Sequence, residues 1–333
     1  MKKIIISTFV FVFAGVLASC DQNPDSGFAP EALKASAHTS ANPEIVFTGK
    51  STSKKGTFET ISVMDADGGH ETSILTASST ATQYLDPTWS PNNTNVSYSQ
   101  DNSVRKMDVA LTGGVPTASN FTTLYTAPAG TVLTHQGWSP DVGRAEIGFV
   151  LQSGGTTSAA ANEVRVISSN GGASTLVYSD AGYYCKGMGW NADGSVIYLA
   201  EFTVGDGIGN PNTNAGVHGL IKAIDRATGT LLATYLEGTH KYMSNIRPSR
   251  SGSNQLIYNA LDGTGDNLTT TVVTYDFTSE TTRATVTGQS VGWSGTNDKL
   301  LYVNSPNINA YTISSGTTTT LTTDGSGYPD WKR

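Results

Sequence analysis

Six times along the chain an aliphatic residue is followed two places later by an aromatic: Ile45/Phe47, Val96/Tyr98, Ile147/Phe149, Val196/Tyr198, Leu256/Tyr258 and Leu300/Tyr302. A period of two over so few residues predicts a short strand with one buried face. After each comes a second apolar stretch that runs into a polar or glycine-rich turn, at residues 61–69, 104–114, 164–172, 221–229, 272–280 and 308–316. Paired strands bounded by such turns predict hairpins. The segments that follow, such as 72–76 and 317–323, alternate weakly and suit an outer strand facing solvent. With 46 Thr and 36 Gly in 333 residues, the composition favours strands over helices and predicts an all-β protein.

A second repeat runs in phase with the first. All five tryptophans share one context, and four of them sit before a polar turn: Trp89 in Thr-Trp-Ser-Pro-Asn, Trp138 in Gly-Trp-Ser-Pro-Asp, Trp190 in Gly-Trp-Asn-Ala-Asp and Trp293 in Gly-Trp-Ser-Gly-Thr, with Trp331 in Pro-Asp-Trp. A sixth copy, Asn245-Ile-Arg-Pro-Ser-Arg-Ser-Gly252, places Arg247 at the anchor. The six anchors are 38 to 57 residues apart, near the ~40–50 residues of a four-stranded propeller blade.

The Trp-Ser-Pro-Asp turn, the aliphatic-x-aromatic strand and the Met64-Asp-Ala-Asp-Gly-Gly69 turn together resemble the TolB-like β-propeller repeat, over about residues 43–333. The resemblance implies a six-bladed β-propeller of four-stranded antiparallel blades, whose ring leaves no long open edge. The repeat opens at a second strand (Glu44 onward) and ends at a first strand (327–331). The C-terminal strand is therefore expected to pair with the N-terminal blade and close the ring.

Ahead of the repeat, Lys2 and Lys3, an apolar run over 4–17 and Leu17-Ala18-Ser19-Cys20 have the form of a secretion signal, expected to span residues 1–19. The run is too short for a spanning helix of ~20 apolar residues. Leu-Ala-Ser-Cys resembles the lipobox of bacterial lipoproteins, which implies lipidation of Cys20 and a tether over residues 20–42, rich in Pro, Ser, Ala and Asn. Such a chain is expected in the cell envelope, its propeller in the periplasm or at the cell surface, touching the membrane only through the anchor. Asp21 next to the cysteine implies the inner membrane in enteric-type bacteria; other lineages sort differently, so the membrane is left open. Cys185 then remains as the single thiol, expected to be a small buried hydrophobe.

The formal net charge of -7 argues against nucleic acid, because phosphate binding needs a basic footprint. Gly288-Gln-Ser290-Val-Gly292 spells a nucleophile elbow, but it falls on the strand leading into Trp293, whereas an elbow needs a strand-to-helix turn. No catalytic residue is assigned. The five histidines show no metal-ligand spacing, and no metal or cofactor is expected. Asp65-Ala-Asp67-Gly68 is read as a turn between outer strands. Two loops, 204–218 with Asp206, Asn210, Asn212 and Asn214, and 262–267, carry enough oxygen ligands for calcium or are glycine-rich surface loops that satisfy themselves.

Propeller geometry gathers the early residues of the innermost strands near one mouth of the central channel. Tyr84, Asp86, His135, Lys186, His240, Lys241, Gln289 and Tyr328 hold such positions and form the candidate ligand-binding ring. The expected function is a non-catalytic binding or scaffold propeller for another envelope protein. Glycan or glycopeptide binding at the channel mouth is the alternative. A lyase-like activity is the third, since oligogalacturonate lyases are similar at the repeat level, although no motif of theirs is matched here.

Overall fold

The computed structural model describes residues 42–154, 161–203, 218–239, 242–262 and 269–332. These form 24 strands and, among the described residues, no helix. The chain enters with β1 (Ile45–Ser53), β2 (Gly56–Met64) and β3 (Thr72–Thr76) of blade 1. Blade 2 follows as β4 (Tyr84–Trp89), β5 (Asn95–Gln100), β6 (Ser103–Thr112) and β7 (Val115–Thr126), and blade 3 as β8 (Thr131–Trp138), β9 (Glu146–Ser153), β10 (Ala161–Ser168) and β11 (Thr175–Ala181). Blade 4 is β12 (Tyr183–Trp190), β13 (Val196–Thr203), β14 (His218–Asp225) and β15 (Leu231–Thr239); blade 5 is β16 (Tyr242–Pro248), β17 (Gln255–Asp262), β18 (Thr269–Asp276) and β19 (Thr281–Thr287). Blade 6 is β20 (Gln289–Trp293), β21 (Lys299–Asn304), β22 (Asn307–Thr312) and β23 (Thr317–Thr322). The last strand, β24 (Gly325–Trp331), joins β1 in the order β24-β1-β2-β3.

Ring closure follows the expected pairing: Ile45 lies opposite Trp331 and Val46 opposite Asp330. The six first strands touch in sequence around the ring, β24 with β4, β4 with β8, β8 with β12, β12 with β16, β16 with β20 and β20 with β24. They line the axis, and the aliphatic-x-aromatic strands lie one layer out. The Gly288–Gly292 stretch is indeed the innermost strand of blade 6, and Asp65–Gly69 is the turn joining β2 to β3, where Gly68 N–H donates to Asp65 O at 3.0 Å.

The core is a set of inter-blade seams filled by the anchor side chains. All five tryptophans are 7% exposed or less. Trp190 of blade 4 lies over the paired glycines Gly137 and Gly148 of blade 3, and its Nε1–H donates to Gly137 O at 3.1 Å. A Cβ on Gly148 would stand 2.7 Å from the Trp190 ring, so that position must be bare for the indole to seat. Burying each indole contributes about 5 kcal/mol by area.

The sixth anchor differs from the sequence expectation. The register puts Pro248 opposite Leu256, as Trp89 is opposite Val96 and Trp293 opposite Leu300. Ser249 N–H then donates to Gln255 O, as Ser90 does to Asn95 O and Ser294 to Lys299 O. Pro248 is therefore the anchor, and Arg247 stands one place earlier, where the other blades carry Asp330, Thr88, Gly137, Gly189 and Gly292. The hydrogen bond of Trp293 Nε1–H to Arg247 O at 2.8 Å repeats that of Trp190 to Gly137 O and confirms the shift. Arg247-Pro-Ser resembles the Trp-Ser-Pro turn, but the strand ends one residue later, at Pro248.

The residue facing the anchor across each seam changes with it. That position, paired with the pre-anchor residue, is Val46, Ser97, Gly148, Ile257 and Leu301 in five blades and Tyr198 in blade 4. Where the anchor is small, its neighbour is large: Pro248 abuts Gly189, and the Tyr198 ring stacks on Phe277 of blade 5 at 5.4 Å and 11°.

Candidate functional site

Each innermost strand breaks register two to four residues before its anchor, between Leu85 and Thr88, Leu133 and His135, Cys185 and Gly187, Ser244 and Arg247, and Gln289 and Val291, with a matching break against β1 in β24. Such a bulge leaves a residue out of the ladder and re-aims its side chain. The position three before the anchor is Tyr328, Asp86, His135, Gly187, Asn245 and Ser290 around the ring. Asp86, Asn245 and Tyr328 hold φ of 49°, 49° and 51°, in the left-handed region that costs a non-glycine residue about 1 kcal/mol or more.

Asp86 is the centre of this ring. It is 1% exposed; its Oδ2 lies 3.1 Å from His135 Nδ1, and its Oδ1 lies 3.4 Å from Arg247 Nη2. Blades 2 and 5 are diametrically opposed, so the Arg247–Asp86 pair spans the channel. Arg247 Nη1 also donates to Met188 O at 3.2 Å and Ile246 O at 3.0 Å. Burial alone would raise the Asp86 carboxyl, but the His135 hydrogen bond and charge and the Arg247 guanidinium outweigh it and hold it below the usual carboxylate range. Gln136 extends the network: its amide donates to Asp86 O and its Oε1 accepts from Ser97 Oγ at 2.7 Å, which lies 2.9 Å from Thr88 Oγ1. Tyr328 faces the same carboxylate, and burial pushes its phenol above the ordinary value, with the Asp86 charge adding to the effect.

The other proposed mouth residues are placed differently. Tyr84 is 3% exposed and packs edge-on against Tyr98 at 5.7 Å in an apolar cluster with Val46, Trp89 and Met107, so its ring belongs to a blade seam and not to the channel. It lies five before its anchor, two places outside the bulge. Lys186 sits over the Tyr184 ring at 4.5 Å, and burial lowers its ammonium. Tyr184, Phe202 and Tyr242 continue that contact as a row of rings 5.3 and 5.2 Å apart. Gln289 is exposed at the start of β20. His240 and Lys241 lie outside the described residues, as do 204–217 and 263–268, on which the calcium expectation rests.

The channel's other end is held by Arg250. It ion-pairs with Asp330 and donates to Trp331 O, while Asp330 Oδ2 accepts the Trp89 amide at 2.9 Å. Between these pairs and Arg247 lies a cavity of about 40 Å³, room for about three water-sized atoms. A second buried charge cluster locks blades 3 and 4: Lys222 pairs with Asp180 and, at 2.8 Å, with Glu201, and lies 3.6 Å from the Tyr183 ring centre. Burial raises the Glu201 carboxyl against the pull of Lys222. Cys185 beside it is fully buried, as expected, and burial pushes its thiol far up, away from reactivity. Among the described residues no three His, Cys, Asp or Glu side chains cluster as metal ligands.

No family model and no curated protein matches the sequence. Solved structures do match. TolB from Acinetobacter baumannii superimposes with a TM-score of 0.60 at 13% identity, over 87% of this chain and 66% of that one. In fold, this is a TolB-like propeller. A putative TolB from Agrobacterium tumefaciens gives a TM-score of 0.52 at 12% identity, covering 86% of this chain and 91% of that one. An oligogalacturonate lyase in complex with manganese gives 0.51 at 10%, covering 85% and 81%. The TolB-like propeller spans just under two thirds of the Acinetobacter structure, and at these identities the likeness is one of fold.

Sequence reasoning missed Arg247 and Gln136 as channel residues. A signal for the first was present: Ser249 and Gly252 follow Pro248 at the spacing with which Asn191 and Gly194 follow Trp190. Gln136 carried none, because its bond to Asp86 O is made between blades 2 and 3 and depends on how those strands pack.

Proposed function

We propose that this chain is a lipid-anchored, non-catalytic binding propeller of the bacterial cell envelope, tethered at Cys20 through residues 20–42, whose partner is another envelope protein. The observation that carries the reading is the use made of the channel's charged groups. Asp86, His135 and Arg247 bond to one another across the axis, and Arg250 bonds to Asp330, so these groups hold the ring rigid. A rigid ring with wide faces suits protein docking. The TolB-like fold and the lipobox at Cys20 support the envelope setting.

The test is cross-linking of the native protein in its own envelope, followed by mass spectrometry, alongside a Cys20→Ala variant. One recurring partner cross-linked to one face, and release of the variant into the soluble fraction, are the expected outcomes. Scattered cross-links would refute the docking role, and a variant still sedimenting with membranes would refute the anchor. One observation favours a second reading, glycan or glycopeptide capture at the channel mouth: the partly exposed Tyr184 and Tyr242, packed on the buried Phe202 beside Lys186, place two phenols and an ammonium together. Loss of oligosaccharide binding in Tyr184→Ala would select it.

A further inference from the structure

The seam between blades 4 and 5 is the one closed by proline instead of indole, and it is not completely filled. Above the Tyr198–Phe277 stack a groove of about 190 Å³ remains, bordered by Pro248, by Asp193 from the turn after Trp190, and by Asn254 and Gln255 from the turn after Pro248. It opens beside the turns that follow the anchors, away from the Tyr184 row, and no residue of the channel network borders it.

Its chemistry is specific. The floor is apolar, made of the half-buried Tyr198, the Phe277 ring stacked on it and the pyrrolidine ring of Pro248; Phe277 is also packed against Tyr235 at 4.3 Å and Tyr275 at 5.7 Å, which leaves Tyr198 as the ring able to meet a ligand. The rim is polar and carries no Lys, Arg or His. Asn254 commits one amide N–H to Thr278 Oγ1 at 3.2 Å and Gln255 one to Asp276 Oδ2 at 3.4 Å, which leaves each amide a carbonyl oxygen and a second N–H. Asp193 directs Oδ1 to the Ser195 amide and hydroxyl, at 2.9 and 2.6 Å. A ligand fitting this rim must both donate and accept, which hydroxyl groups do. An anion would meet the Asp193 carboxylate, and an ammonium would leave the two amide N–H groups without acceptors. Aromatic floors take the C–H face of a sugar ring, and the volume lies below the ~300–1,000 Å³ of drug-sized pockets.

We propose that the groove between blades 4 and 5 binds a single pyranose unit of a neutral saccharide, with Tyr198, backed by Phe277, against the ring and Asp193, Asn254 and Gln255 on its hydroxyls. Its physical origin is the exchange of an indole for a proline at residue 248, which opens a seam that the other blades close.

Saturation-transfer NMR on the full chain, with methyl β-glucopyranoside, methyl β-galactopyranoside and N-acetylglucosamine as probes, tests this. At least one probe should receive saturation, strongest on its ring C–H protons. Asn254→Ala with Gln255→Ala should weaken that probe about tenfold, the loss of two hydrogen bonds, while leaving the melting temperature unchanged. Pro248→Trp should fill the groove and abolish the transfer, and Tyr184→Ala at the channel mouth should preserve it. Silence from all three probes overturns the proposal. So does transfer that survives the Asn254/Gln255 double variant, or that is lost in Tyr184→Ala but kept in the groove variants.

Discussion

Pro248 and Tyr198 show how one residue pair sets the character of a seam. An indole needs a small or aliphatic partner, as Trp190 has in Gly148, and a tyrosine at that place needs a small anchor. Pro248→Trp alone should therefore overpack against Tyr198 and cost about 2 kcal/mol. Combined with Tyr198→Gly it should cost clearly less than the sum of the single changes, a coupling of about 1 kcal/mol or more in a denaturant double-mutant cycle. Simple additivity would show that the two side chains do not compete for one space. Asp86 is the second residue whose neighbours fix its behaviour. Asp86→Asn removes one partner of a buried ion pair and should destabilise by about 3 kcal/mol at neutral pH. Because the folded-state carboxyl titrates below its unfolded value, its contribution is complete above the unfolded pKa of ~3.9 and fades as pH falls through the folded one. Urea unfolding should show the gap between wild type and Asp86→Asn narrowing below about pH 4. An equal gap at pH 3 and pH 7 would sink the assignment.

At the scale of elements, β24 is the closure. It pairs with β1, carries Trp331 into the first seam and presents Asp330 to Arg250 of blade 5 and to the Trp89 amide of blade 2. Deleting residues 328–333 should strip one strand from blade 1 and expose the edge of β1, with a sharply lowered melting temperature and association through the open edge. A melting curve unchanged by the deletion would show that the ring does not depend on this strand. The innermost strands were legible in the sequence because each ends at an anchor and five of the six then enter a polar turn. Their bulges were not, because a bulge is a change of register against a partner strand, and one strand's sequence does not display it. Hence the same sequence pattern marks Asp86, His135 and Tyr328, which meet in the channel, and Tyr84, which lies two residues outside the bulge and packs into a seam.

At the scale of the whole molecule, six blades in a ring turn residues far apart in sequence into neighbours across the axis. Asp86 and Arg247 are 161 positions apart, and Arg250 and Asp330 are 80 apart. Such pairs hold the centre of the ring. The repeat, its strand order within a blade and the closing role of the last strand were determined by the sequence alone. They follow from local alternation, turn chemistry and periodic anchors, each of which acts over a few residues and is written in order along the chain. The identity of the sixth anchor, the Asp86–His135–Arg247 network and the unfilled seam were decided only by tertiary structure. They depend on strand register and on which blades face each other, and both are settled by packing between segments that the sequence keeps apart.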